Sequence, residues 1–132
     1  MDRKSEALLK LPLIMIVDDD TDIRVSVTEA LQSEGYEVEV VSNGLLALEH
    51  LREGVRPGLI ILDLSMPIMD GSEFRRMQMS NPEWARIPIC VLSAQTRLRE
   101  RAEYIGVQNI LAKPVDLELL LSTVARLFKT AS

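Results

Sequence analysis

Cysteine and histidine are nearly missing from this chain: 132 residues hold a single Cys90 and a single His50. One cysteine permits no internal disulfide and no cysteine metal cluster, which agrees with a reducing compartment. His50 falls on a helical segment opposite its apolar stripe, where it reads as an exposed side chain. That placement sets aside a Ser, His and acid catalytic arrangement, and a phosphorelay histidine with it. Long apolar runs are lacking too. None approaches the roughly 20 residues of a membrane span, and the opening MDRKSEALLKLP has neither the apolar segment nor the small-residue cleavage site of a signal peptide. A cytoplasmic protein is expected. An excess of positive charge is also wanting: the formal net charge is -5, which argues against direct binding to nucleic acid or to an anionic membrane surface. Neither a Walker phosphate loop nor a Gly-x-Gly-x-x-Gly fingerprint occurs, so nucleotide and dinucleotide chemistry lose their main support.

What is present is the composition of an ordinary globule, 47% apolar and 27% charged, long enough to bury a real core in one domain. Five apolar stretches read as strands: Leu13 to Val17, Tyr36 to Val41, Leu59 to Leu64, Ile89 to Leu92 and Ile110 to Ala112. Three are nearly continuous Ile, Leu and Val, as expected of strands covered on both faces. The second alternates more and suits a sheet edge. Between them lie helical stripes: Ile23, Val27, Ala30 and Leu31, closed by Gly35; Ala47, Leu48 and Leu51, closed by Gly54; Phe74 and Met77; Leu98, Ala102 and Ile105; and Leu117, Leu120, Leu121, Val124 and Phe128. Pro57, Pro82, Pro88 and Pro114 fall between segments. Strand and helix alternate five times, which implies parallel strands, right-handed crossovers and helices on both faces: a doubly wound α/β domain. Residues 1–11 are expected to be an N-terminal extension, 12–129 the domain, and 130–132 a frayed tail.

In such a sheet the reactive groups gather beyond the C-terminal strand ends. The first strand delivers Asp18 and Asp19, the third Asp63, the fourth Ser93 and the fifth Lys113. Carboxylates from separate strands, with oxygen as the ligand type, suit a hard cation such as Mg2+. A lysine and a serine nearby match the oxygens of a phosphoryl group. Asp63, on the central strand, is the natural nucleophile, because an aspartate can form an acyl phosphate.

The motifs VDDD (17–20), ILDLSMPIMDG (61–71), VLSA (91–94) and AKP (112–114) stand in the order found in receiver domains of two-component response regulators, and from Leu13 to Phe128 the chain resembles that family, chemotaxis regulators included. The resemblance implies a flavodoxin-like (βα)5 three-layer sandwich with strand order 2-1-3-4-5. It also implies a signalling switch rather than an enzyme, one that catalyses its own phosphorylation and slow dephosphorylation. Asp63 would be the phosphoacceptor, Asp19 the direct acidic ligand of Mg2+ (or Mn2+) and Asp18 its water-bridged neighbour. Ser65 would offer its backbone carbonyl to the ion. Ser93 would be the switch hydroxyl, Ala94 the small residue leaving the acceptor accessible, and Lys113 the phosphate-binding lysine, followed by a cis bond to Pro114. Gly71 would be the loop glycine, needed where the backbone takes a positive φ. Ser65 and Gln95 flank the acceptor and would tune the phosphoryl lifetime. The implied partners are a histidine kinase or phosphotransfer protein, an unidentified downstream protein and a phosphorylation-dependent second copy.

Two departures fall on the face receivers use for output. Ile110 replaces the usual aromatic, so no ring toggles there, and the stretch from Ser93 to Lys113 is shortened. Together they raise an alternative, a phosphorylation-independent pseudo-receiver acting as an interaction module. A haloacid-dehalogenase-type phosphatase would need a second acid where Ser65 stands. The bland readings cover the rest: Asp20 and Asp22 cap the first helix, Cys90 is core, Trp84 packs a loop, the methionines fill gaps, and RLRERAE (97–103) is a solvated helix face.

Overall fold

The computed structural model describes residues 11–64, 66, 68–94 and 105–131. The elements in chain order are β1 (Leu13–Val17), α1 (Thr21–Ser33), β2 (Glu37–Val41), α2 (Gly44–Arg52), β3 (Leu59–Leu62), α3 (Gly71–Met79), a short α4 (Pro82–Ala85), β4 (Ile89–Ser93), β5 (Asn109–Ala112) and α5 (Leu117–Ala131). Every strand pair is parallel and the order is β2-β1-β3-β4-β5, so the flavodoxin-like sandwich is observed. The alternating strand, β2, lies at the edge as its pattern foretells. Part of the fourth helical stripe, Leu98 and Ala102, and the charged run 97–103 lie outside the described residues.

Successive residues of each strand face opposite ways, and the core divides accordingly into two layers. Met15, Val17, Ile60 and Leu62 pack against Leu48 and Leu51 of α2 and Phe74 of α3. Ile14, Ile16, Leu59 and Ile61 pack against Val27 and Leu31 of α1 and Leu120 and Val124 of α5. Burying each such side chain contributes about 1.5–3 kcal/mol before the entropy of ordering it is subtracted.

The helices begin where short polar side chains replace missing hydrogen bonds. Asp20 accepts from the Asp22 and Ile23 amides, Asn43 from Leu46, and Asp70 from Glu73. Gly35 (φ +94°) and Gly54 (φ +100°) close α1 and α2 in the left-handed conformation.

Several expectations need correcting. Strand β3 stops at Leu62, two residues early, although the Asp63 amide still donates to the Val17 carbonyl; β4 runs one residue further, to Ser93. Helix α5 spans Leu117–Ala131. Trp84 sits in α4 rather than a loop, capped by Asn81 and opened by Pro82 at the position where proline is tolerated. Gly71 does not have a positive φ; a Cβ there would meet the Asp63 carbonyl oxygen at 2.6 Å and the Leu64 Cα at 2.8 Å. Close approach, not handedness, requires that glycine. Among the described residues of this loop, the left-handed one is Ile68 (φ 72°).

Candidate functional site

The register builds the rim. Val17 lies beside Leu62 and Val41, so the next residues on two neighbouring strands, Asp18 and Asp63, stand side by side. The Asp18 amide donates to the Val41 carbonyl at 3.2 Å and the Asp63 amide to the Val17 carbonyl at 2.9 Å, which extends the ladder through both acids. Ser93 pairs with Ala112, and the Lys113 amide donates to the Ser93 carbonyl at 3.1 Å. The Lys113-Pro114 bond is cis, as the resemblance implies.

Asp18 and Asp63 are buried, with side chains only 2% and 4% exposed; Ser93 is buried, while Asp19 and Ala94 are exposed. Two adjacent buried carboxylates repel unless a cation answers them. Lys113 is that cation. Its Nζ lies 2.9 Å from Asp18 Oδ2 and 3.3 Å from Asp63 Oδ2, and it donates to Asp18 Oδ1 at 3.2 Å and to Asp63 Oδ2. Burial pushes the ammonium pKa down, but the Asp18 hydrogen bond and the two negative charges outweigh it and hold Lys113 above its ordinary 10.5.

One ammonium between two carboxylates leaves negative charge over, and Asp19 adds to it. Carboxylate oxygens of Asp18, Asp19 and Asp63 all fall within 4.8 Å of one another. Although Lys113 Nζ lies 2.9 Å from the buried Asp18 Oδ2, no hydrogen-bond donor among the described residues is aligned on that oxygen. A buried oxygen lacking a donor, in an all-oxygen set, fits a hard divalent cation and not a soft transition metal.

The structure therefore brings Asp18, Asp19, Asp63, Ser93 and Lys113 to one rim, with Ala94 beside them. Ser65 and Gln95 lie outside the described residues. Ile110 is half-buried and packs on the core layer of α2 and α3. His50 is not simply exposed: its ring contacts Leu46 O at 2.9 Å and Glu39 Oε1 at 3.0 Å. Cys90 is buried, and burial pushes its thiol up to about 12, the charge of Arg126 opposing.

Arg24 is absent from the residues the motifs single out. Its Nη1 donates to the Asp18 carbonyl at 2.6 Å and its Nη2 to Thr21 Oγ1 at 3.2 Å. The one signal for it in the sequence is an arginine one helical turn after the cap, on the face that Thr21 shares.

Comparison with known proteins gives a consistent result. The family model described as "Response regulator receiver domain" matches residues 14–125. The response regulator MprA of a Mycobacterium species (strain KMS) is 36% identical over 121 residues, 90% of this chain and 51% of that protein. The chain thus spans about half the length of the curated relatives it matches. Among solved structures, the signal receiver domain of a signal transduction histidine kinase from Syntrophus aciditrophicus superposes with a TM-score of 0.84 at 32% identity, covering 91% of this chain and 92% of that one. The Mn2+-bound form of the response regulator Rcp1 superposes at 0.73 with 28% identity, covering 86% and 89%.

Proposed function

Since this chain belongs to the response regulator receiver domains, the signalling switches of two-component systems, we propose that it takes up a phosphoryl group on Asp63 from the phosphohistidine of a partner histidine kinase or phosphotransfer protein. The convergence of Asp18, Asp19 and Asp63 oxygens within 4.8 Å, answered by Lys113, carries this reading.

A carboxylate oxygen of Asp63 attacks phosphorus, the new O–P bond forming as the P–N bond to imidazole breaks and its electron pair returns to the ring nitrogen. Asp18, Asp19, Asp63 and the Ser65 carbonyl would hold Mg2+ or Mn2+, which when bound neutralises charge on the acids and on the phosphoryl oxygens. Asp63 is positioned by the strand ladder and by Lys113. In the resting state the Lys113 ammonium is shared between Asp18 and Asp63; the product adds about 1.5 to 2 negative charges at Asp63, and Lys113 follows them. Its raised pKa keeps it protonated throughout the physiological range. Ala94, small and exposed, leaves the approach to Asp63 open.

Ser93 turns its hydroxyl to the phosphoryl oxygens, and that movement biases the output face between two arrangements. A tenfold shift between two arrangements needs about 1.4 kcal/mol of differential interaction, within reach of one charge-assisted hydrogen bond. With Ile110 in place of a ring, the readout starts from Ser93 and runs to that output face, toward a downstream protein or a second copy. Hydrolysis of the acyl phosphate resets the switch, with Ser65 and Gln95 setting its rate through the placing of water.

Incubation with Mg2+ and acetyl phosphate, followed by intact-mass measurement, tests the proposal. Wild type gains one phosphoryl group; Asp63→Asn and an EDTA-treated sample gain none. A wild type that stays unlabelled beside a labelled control receiver sinks the reading, and equal labelling of Asp63→Asn moves the acceptor elsewhere.

A further inference from the structure

Asp18 is held by hydrogen bonds at its amide, its carbonyl and its Oδ1. Its amide donates to Val41 O at 3.2 Å, its Oδ1 accepts from the Asp20 amide at 2.9 Å and from Lys113, and its carbonyl accepts from Arg24 Nη1 at 2.6 Å. Its Oδ2 pairs with Lys113 Nζ at 2.9 Å by charge but has no aligned hydrogen-bond donor among the described residues. The carbonyl that Arg24 grips belongs to the planar peptide unit joining Asp18 to Asp19. Fixing that plane fixes the direction in which both acids leave the chain. Arg24 is itself steadied at both ends: Nη2 reaches Thr21 Oγ1 at 3.2 Å, and its amide donates to Asp20 O at 3.0 Å in the first turn of α1. The guanidinium fork suits this double grip, which a single ammonium does not reproduce.

We infer that Arg24 is a positioning residue of the divalent-ion site: by clamping the Asp18-Asp19 peptide it presents the two carboxylates in an ion-ready arrangement. The inference rests on the metal-site reading above. It also makes a statement whose sign is not obvious. A cation beside an acidic cluster repels an incoming Mg2+, so through-space charge alone predicts that removing Arg24 tightens binding. Positioning predicts the opposite. Partners that orient a ligand from outside are worth 10- to 100-fold in metal affinity, and since Arg24 acts through backbone, the low end applies.

Isothermal titration of the unphosphorylated protein with MgCl2, with melting temperature as a parallel readout, decides. Arg24→Ala binds Mg2+ about tenfold more weakly than wild type. Arg24→Lys, which restores charge without the fork, stays near the alanine variant; it carries the test if Arg24→Ala does not fold. Affinity equal to or tighter than wild type in Arg24→Ala, or full recovery in Arg24→Lys, overturns the inference while leaving the metal site standing. A wild type that shows no Mg2+ binding overturns the site reading and this inference with it.

Discussion

The two ends of the sheet are built on opposite rules. At the N-terminal end the strands start among apolar groups: Ile14 and Leu59 are fully buried, and a Cβ on Gly58 would meet the Phe128 ring at 2.9 Å and Pro12 at 3.1 Å. Phe128 in turn stacks on Tyr36, ring centroids 5.5 Å apart. At the C-terminal end the same strands deliver the buried acids Asp18 and Asp63, and β5 delivers the half-buried Lys113, charges that packing alone would not choose. One end is arranged for stability and the other tolerates cost to keep a reactive set of groups together.

The largest separation of the two comes from the apolar end. Leu59→Ala is expected to cost about 2–5 kcal/mol by lost transfer energy and a residual cavity, read by urea denaturation, while the Mg2+ affinity of the folded fraction stays at the wild-type value. A stability loss below about 1 kcal/mol would mean that this end repacks, contrary to its close packing.

Gly71 crosses the divide, because it lies at the rim and yet serves packing. Its missing Cβ makes room for the Asp63 carbonyl and the Leu64 Cα, and backbone atoms yield less readily than side chains. Gly71→Ala therefore costs about 1–3 kcal/mol and, by displacing the Asp63 backbone, also slows phosphoryl uptake. If stability falls and uptake does not, the two ends are more separable than the contact implies.

How much of this was legible beforehand follows the same division. Continuous apolar runs betray β1, β3 and β4 because a central parallel strand is covered twice; the acids and Ser93 stand directly after those runs, and Lys113 directly after the shorter β5. Asp20 as cap is likewise a local signal. The rest depends on long-range geometry. Gln78 looks like an ordinary helical glutamine, yet it is fully buried and donates to Trp84 O at 2.8 Å and Ile87 O at 3.0 Å, which ties α3 to the stretch around α4. The demand for Gly71 comes from backbone seven or eight positions away, so a turn-based argument assigns it the wrong cause. The positive φ falls instead on Ile68, a β-branched residue that local propensity would place there last.

A smaller effect of opposite sign is expected at the exposed acid. Asp19→Asn removes one of three carboxylates whose oxygens crowd within 4.8 Å. Without divalent ion the variant should gain about 0.5 kcal/mol in stability, because like-charge repulsion is relieved, while its Mg2+ affinity drops. A variant that loses stability in EDTA would show that the acid also does structural work.

The smallest expected effect lies away from both ends, where His50 of α2 meets Glu39 of β2. Hydrogen bonding to the Leu46 carbonyl, then the Glu39 contact and the charges of Glu39 and Glu53, raise the His50 pKa above its ordinary 6.5 against the opposing effect of burial. Both ring nitrogens face acceptors, so the doubly protonated form satisfies both. A folded pKa above the unfolded one gives stability that is fully present below about pH 6.5 and disappears as pH rises through the folded value. The side chains are 28% and 43% exposed, so solvent screening keeps the contribution below about 1 kcal/mol. Wild type should exceed His50→Gln in stability by more at pH 5.5 than at pH 8.5, and added salt should shrink the difference. A gap independent of pH would mean that the imidazole serves α2 only through its neutral hydrogen bond to Leu46, and that the edge strand owes nothing to charge.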